Sequence, residues 1–220
     1  MKDLNQQIIK FQTNKNFNDD DFFISKSNEH IFNLLNKWPN WEKNFLNISG
    51  EKFSGKTHLV NIFLKKFNGI KIDCASLNEN DIKNVKIYQN IVLENLDENI
   101  NESLHYSLFN IIEQENKYLI ATSIKPIVDI DFTLKDLKSR STNFLIHTIE
   151  IPDDELMYAL ILKNLSDRQI SLDKKLIFYI IKRIERSYGK IFEFIYKIDE
   201  VSLKKKRSID LKIIKEVLGE

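Results

Sequence analysis

Gly50-Glu51-Lys52-Phe53-Ser54-Gly55-Lys56-Thr57 fits the phosphate-loop spacing G-x-x-x-x-G-K-[ST], and the stretch before it, Phe45-Leu46-Asn47-Ile48-Ser49, reads as a buried strand. Leu59, Val60, Phe63, Leu64 and Phe67 follow at amphipathic helical spacing. Strand, glycine-bearing loop and helix are the context this motif requires, and together they commit the chain to an α/β fold built around a bound phosphate. The reason lies in the residue types. Glycines let backbone N–H groups curl around an anion, the Lys56 ammonium reaches the outer phosphates, and the Thr57 hydroxyl holds magnesium. The helix that starts at Lys56 adds its positive dipole end. Glu51, Lys52, Phe53 and Ser54 complete the loop and His58 follows it, so positions 50 to 58 are the candidate nucleotide contacts.

Charge excludes some classes of function. With 33 basic and 32 acidic side chains the net charge is +1, so no global field draws the molecule onto nucleic acid or an anionic membrane. The single cysteine, Cys74, excludes an intramolecular disulfide, and His30, His58, His105 and His147 are too scattered for a zinc site. A reducing, cytoplasmic setting is expected. Met1 to Gln7 lacks the apolar core of a signal peptide, and no apolar run is long enough to span a bilayer, so membrane insertion is not expected. Lys, Asn and Ile are abundant beside five Gly and three Pro, a pattern of AT-rich coding bias that weakens the meaning of any one lysine.

Three segments are expected. Residues 1–21 form a polar tail interrupted by one short apolar cluster. Residues 22–151 alternate helical and strand patterns: a helix near 28–37, the Trp38-Pro39-Asn40-Trp41 break, the strand into the loop, and further strands at 69–74, 88–93, 118–123 and 144–150. A helix at 102–114 lies between two of them. Such alternation predicts a parallel sheet with helices on both faces. Beyond Ile151-Pro152 the strand signal stops, and 152–220 reads as a small all-helical domain. Asp153 caps a helix with Leu156, Ala159, Leu160 and Leu162 inward, and Asp173 caps one with Leu176, Ile177, Ile180, Ile181 and Ile184 inward. Two more follow, near 190–201 and 210–218.

The rest of a nucleotide site is looked for at strand ends. Ile91-Val92-Leu93-Glu94 ends a strand on an acid, and Glu94 stands where magnesium is oriented; the plain alternative is an exposed charge. Asn95 occupies the position of a water-polarising acid and cannot accept a proton, so autonomous hydrolysis is expected to be slow. Asp97 and Glu98 are nearby substitutes. Thr122 and Ser123 end a strand where a polar residue senses the outer phosphate, though hydroxyls are also ordinary strand-to-loop residues. Asp136-Leu137-Lys138-Ser139-Arg140 ends a short helix on an arginine, which can neutralise a transferring phosphoryl group held by a neighbouring subunit.

In this order the pieces resemble a known family. From Phe22 to Leu218 the chain is similar to the AAA+ module of the DnaA-related ATPases, and within them to the Hda-like regulatory inactivators of DnaA, with WPNW resembling alphaproteobacterial members. The resemblance is carried by GEKFSGKTHL, LENLDE, LIATSIKP, DLKSR and the ending SIDLKIIKEVL. It implies an AAA+ P-loop NTPase core with a helical lid, ATP or ADP with Mg2+ as cofactors, and Arg140 as an inter-subunit arginine finger. The lid-domain sensor arginine maps to Lys190, which keeps the charge and loses the planar fork; the alternative is a solvated helix-end lysine. The chain stops with the lid, so it is not expected to read origin DNA by itself. Lys204 to Arg207 reads as a solvated loop.

Hda-like proteins also share a clamp-binding peptide of the form Gln-Leu-x-Leu-Phe. Gln7-Ile8-Ile9-Lys10-Phe11 approximates it, with Gln7, Ile9 and Phe11 as the anchors for a ring-shaped clamp. The alternative is a strand fragment packing on the core. The partners implied are DnaA, the sliding clamp (the beta subunit of DNA polymerase III), DNA indirectly through that clamp, and a further copy of the chain. Two other readings stay open: a non-hydrolysing nucleotide-dependent adaptor of DnaA, and a self-assembling helicase-loader-like ATPase.

Overall fold

Phe45 to Ser49 forms strand β1, and all five residues are buried, as a strand covered on both faces must be. Its side chains alternate. Leu46 and Ile48 pack with Val92, Ile120 and the helical residues Leu59, Val60 and Phe63 on one face. Phe45 packs with Ile91, Leu93, Leu119, Ala121, Phe109 and Ile112 on the other. The computed structural model describes residues 22–220, and the expected tail therefore lies outside the described residues.

The other strands are β2 (Ile70–Asp73), β3 (Asn90–Leu96), β4 (Tyr118–Ser123) and β5 (Leu145–Thr148). All pairings are parallel, in the order β2-β3-β4-β1-β5. Helices α1 (Glu29–Asn36) and α2 (Lys56–Phe67) cover one face. On the other lie α3 (Glu79–Val85), α4 (Glu102–Gln114) and α5 (Lys135–Ser141). Helix α3 starts in a reciprocal cap between Asn78 and Asp81. Strand β3 runs past its expected end to Leu96, with a register irregularity between Leu93 and Leu96. Glu94 is therefore inside a strand.

One buried polar residue fixes the working edge of this sheet. Asn47 donates to the Ala121 carbonyl at 3.0 Å and to Ser123 Oγ at 2.9 Å, and accepts from Ile127 N at 2.9 Å. With both ends of its amide satisfied, Asn47 ties β1 to β4 and to the turn beyond it. That turn lies at the carboxyl ends of the strands, where open α/β sheets bind their ligands.

The helical domain has its own core. It comprises α6 (Asp154–Ser166), α7 (Lys174–Ile181), α8 (Tyr188–Lys205) and α9 (Leu211–Leu218), packed through residues such as Met157, Ile161, Ile180, Ile195 and Ile214. Asp153, Asp173, Ser187 and Asp210 cap the four helices with side-chain oxygens. Two expectations need correction. Leu162 is 45% exposed, and Met157, Ile161 and Leu165 face inward instead. Helix α6 is apolar over most of its circumference, so spacing alone did not choose its buried face. The basic run is not all loop either, because α8 continues through Lys205 and ends on the left-handed cap Lys206. Lys204 pairs with Glu200, Lys205 with Glu216 and Arg207 with Asp210. No helix among the described residues is long and apolar enough to cross a membrane.

Candidate functional site

The phosphate loop joins β1 to α2 and turns on three left-handed residues. Gly50 has φ 156° and Gly55 φ 93°, both open to glycine, and the third is Phe53 at φ 72°. A bulky residue there is strained by about 1–2 kcal/mol, so something must hold it. Its ring lies 4.6 Å from that of Phe192 on α8. The loop thus touches the lid through an aromatic pair.

Glu51 makes a second contact with the lid. Its carboxylate accepts from Ser187 Oγ at 2.5 Å, from Tyr188 N at 3.0 Å and from Gly189 N at 2.9 Å, which places an anion on the first turn of α8. Burial works to raise its pKa, but the bonds from Ser187, Gly189 and Tyr188 outweigh it and hold the carboxyl below its ordinary value. A Cβ at Gly189 would sit 3.0 Å from Glu51 Oε1, so a larger residue there would make the carboxylate give by a few tenths of an ångström. Tyr188 adds a bond from its hydroxyl to the Glu150 carbonyl at 3.0 Å.

Lys56 opens α2 and folds back over the loop, donating to the Gly50 carbonyl at 2.7 Å and the Glu51 carbonyl at 2.9 Å. Burial lowers its pKa to about 8, against the raising influence of Glu51 and Glu94. An ammonium held by weak neutral acceptors in a desolvated loop is poised for a stronger anion. Thr57 follows it on the same first turn. His58 meets Phe22 edge-on at 5.3 Å, and the Phe22 ring also closes over Gly55.

Glu94 is 8% exposed, which rules out the plain surface-charge alternative. Its Oε1 is buried with no hydrogen-bond partner, and its Oε2 lies 3.1 Å from Lys71 Nζ. An orphaned carboxylate oxygen beside a phosphate loop fits a divalent cation, so Thr57 and Glu94 are suited to hold magnesium. Asn95 is left-handed at φ 61°, and its amide donates to Asp73 Oδ2 at 2.6 Å. Thr122 Oγ1 accepts from Asn95 N at 3.2 Å, and Ser123 Oγ donates to the Lys125 carbonyl. Glu98 is paired with Lys125 and Asp97 bonds Asn99 N.

Two candidates stand apart from this cluster. Lys190, the third residue of α8, is exposed and pairs with Glu193 at 3.0 Å, while its backbone N–H goes to Ser187 Oγ. Arg140 ends α5 in an ion pair with Glu113 of α4, its guanidinium 5.2 Å from the Tyr106 ring centroid. Gln7, Ile9 and Phe11 lie outside the described residues. Sequence reasoning missed the roles of Lys71, Asp73, Ser187, Phe192 and Glu113. Of these, only Ser187 carried a local signal, as a capping hydroxyl before α8.

Residues 153–218 match the family described as "Hda, lid domain". The chain is 26% identical over 188 residues to an uncharacterized protein of Haemophilus influenzae, covering 80% of this chain and 81% of that one. It is 27% identical over 115 residues to the chromosomal replication initiator protein DnaA of Thermoanaerobacter sp., covering 52% of this chain and 26% of that protein. Domain III of DnaA from Thermotoga maritima superposes with a TM-score of 0.73 at 18% identity, over 92% of this chain and 95% of that one. AMPPCP-bound DnaA from Aquifex aeolicus does so at 0.62 and 18%, over 84% and 68%. At such identities the structural likeness establishes the fold alone, a parallel sheet flanked by helices and followed by a helical domain, as in domain III of DnaA.

Proposed function

We propose, from the premise that this chain is a Hda/DnaA-related AAA+ protein, that it binds adenine nucleotide between its phosphate loop and lid and regulates the initiation of chromosome replication. In this reading it docks on the DNA-loaded sliding clamp through Gln7, Ile9 and Phe11 and promotes ATP hydrolysis by DnaA. One observation carries it: a phosphate loop joined directly to a Hda-type lid, beside an acid position filled by Asn95 whose amide is engaged by Asp73. The first half is what holding a nucleotide requires. The second favours a protein that hydrolyses little by itself.

Lys56 would hold the phosphates of the nucleotide, which supplies negative charge for the loop and the lid to enclose, and Thr57 and Glu94 would take a magnesium ion where one accompanies it. Arg140 would act on ATP held by DnaA. In the isolated chain it is committed to Glu113, so engagement requires it to exchange that carboxylate for phosphate. The same Asn95 geometry favours a second reading, an adaptor of DnaA that uses nucleotide only to order its shape.

The test is DnaA ATP turnover with DNA-loaded clamp. The native chain stimulates it, whereas Arg140→Ala loses about a thousandfold or more of the stimulation while keeping its nucleotide affinity. Alanine at Gln7 and Phe11 removes clamp capture and clamp-dependent stimulation without changing nucleotide affinity. Stimulation by Arg140→Ala equal to the native chain refutes the finger, and no stimulation by the native chain leaves the adaptor.

A further inference from the structure

Two exposed side chains of the edge strand β2 reach residues of the candidate nucleotide site. Lys71 and Asp73 are two residues apart and share one face of the strand. Strand β2 pairs with β3 in a register that sets Asp73 beside Glu94. Asp73 takes the Asn95 amide on Oδ2 and caps Ala75 N with Oδ1 at 3.0 Å. Lys71 reaches Glu94 Oε2 at 3.1 Å and donates to Asn61 Oδ1 at 2.9 Å. Asn61 belongs to α2, the helix opened by the phosphate loop, so Lys71 is held from both sides.

A carboxylate as buried as Glu94 needs a counter-charge, and a magnesium-nucleotide site normally provides one in the metal. Here an ammonium of the same chain already provides it. Lys56 adds a second positive charge within electrostatic range of Glu94. A dication placed at Glu94 would face the Lys71 ammonium, which is 36% exposed and already 3.1 Å from Oε2, and the two like charges would repel across that short gap, moderated by solvent. Glu94 still has Oε1 to offer, so the ammonium competes with the metal without sealing the site.

We infer that Lys71 is an internal cation that takes over the electrostatic role of magnesium at Glu94, so that this site holds adenine nucleotide with little dependence on divalent metal. The inference rests on the nucleotide-binding reading above and specifies its cofactor requirement. Lys71 is a positioning residue here: it acts through Glu94, whose negative charge it balances.

The experiment measures ADP affinity of the full chain by calorimetry, once in EDTA and once in excess Mg2+, for the native protein, Lys71→Met and Lys71→Arg. Methionine keeps the stem and removes the charge; arginine keeps the charge. The native chain and Lys71→Arg should change affinity by less than about threefold between the two buffers, while Lys71→Met should lose about tenfold or more in EDTA and recover it with Mg2+. Mn2+ binding followed by electron paramagnetic resonance should tighten in Lys71→Met, a readout that simple loss of packing would not produce. Native affinity that falls about tenfold in EDTA overturns the inference and leaves nucleotide binding standing, as does a Lys71→Met protein as metal-insensitive as the native chain. No ADP binding by the native chain in either buffer overturns the nucleotide reading and this inference with it.

Discussion

Replacing Glu51 by alanine should loosen the lid without unfolding it. The carboxylate accepts three bonds at the start of α8, two of them from the Tyr188 and Gly189 amides. Hydrogen bonds to a charged group contribute about 1.5–3 kcal/mol each when buried. Glu51 is only half-buried, and water re-solvates the released amides, so we take about 2–3 kcal/mol for the whole contact. At ~1.4 kcal/mol per factor of ten, the docking equilibrium shifts by about 30- to 150-fold. Backbone hydrogen exchange reads this directly. The Tyr188 and Gly189 amides should lose protection by that factor, while Ile195 and Ile198, inside the lid's own core, keep theirs. The pH dependence has a definite sign. Because the folded pKa of Glu51 lies below its ordinary value of 4.5, the contact is at full strength above pH 4.5 and is lost as pH falls through the lower, folded value. Glu51→Gln should show no such loss from this position. Equal protection of the two amides in the native chain and Glu51→Ala would refute the reasoning.

Lys56 gives a second pH prediction. With its pKa lowered to about 8, phosphate binding must restore the charged form, so nucleotide binding near pH 8 should take up about half a proton and near pH 7 only about a tenth. Calorimetry in buffers of different ionisation enthalpy measures this, and equal uptake at both values excludes Lys56 as the source. Phe53→Gly relieves about 1–2 kcal/mol of left-handed strain and forfeits an aromatic pair of about 0.5–1.5 kcal/mol, so it should barely move the melting temperature. Phe192→Ala forfeits the pair with no relief and should melt lower; the reverse order would show that Phe53 is not strained.

What was legible in the sequence is what acts over a few residues. The loop glycines, Lys56, the caps Asp153 and Asp173, and the alternation in β1 each depend on neighbours within about one helical turn, and they lie where the spacing places them. Lys71 failed that test twice: it sits among many lysines, and its partner is 23 residues away on a neighbouring strand. Only the β2–β3 register brings the two together. Glu51 was legible as a loop residue and illegible as the anion that meets α8, because a contact across 136 residues is set by how the lid lands on the loop.

Arg140 shows why this difference bears on function. Its position in the last turn of a short helix could be read from DLKSR, and under the proposed function that position is what would let its guanidinium reach a neighbouring molecule. Whether it is free to do so is decided by Glu113, which raises the Arg140 pKa further by its hydrogen bond and belongs to a helix packed beside α5. An exposed ion pair of this kind is worth about 0–1 kcal/mol, whereas a bidentate phosphate contact in a drier interface is worth more. On the proposed function, the intramolecular partner would orient the arginine between encounters and yield to an anionic ligand, so that Glu113 would tune the ease of release while Arg140 retained the charge.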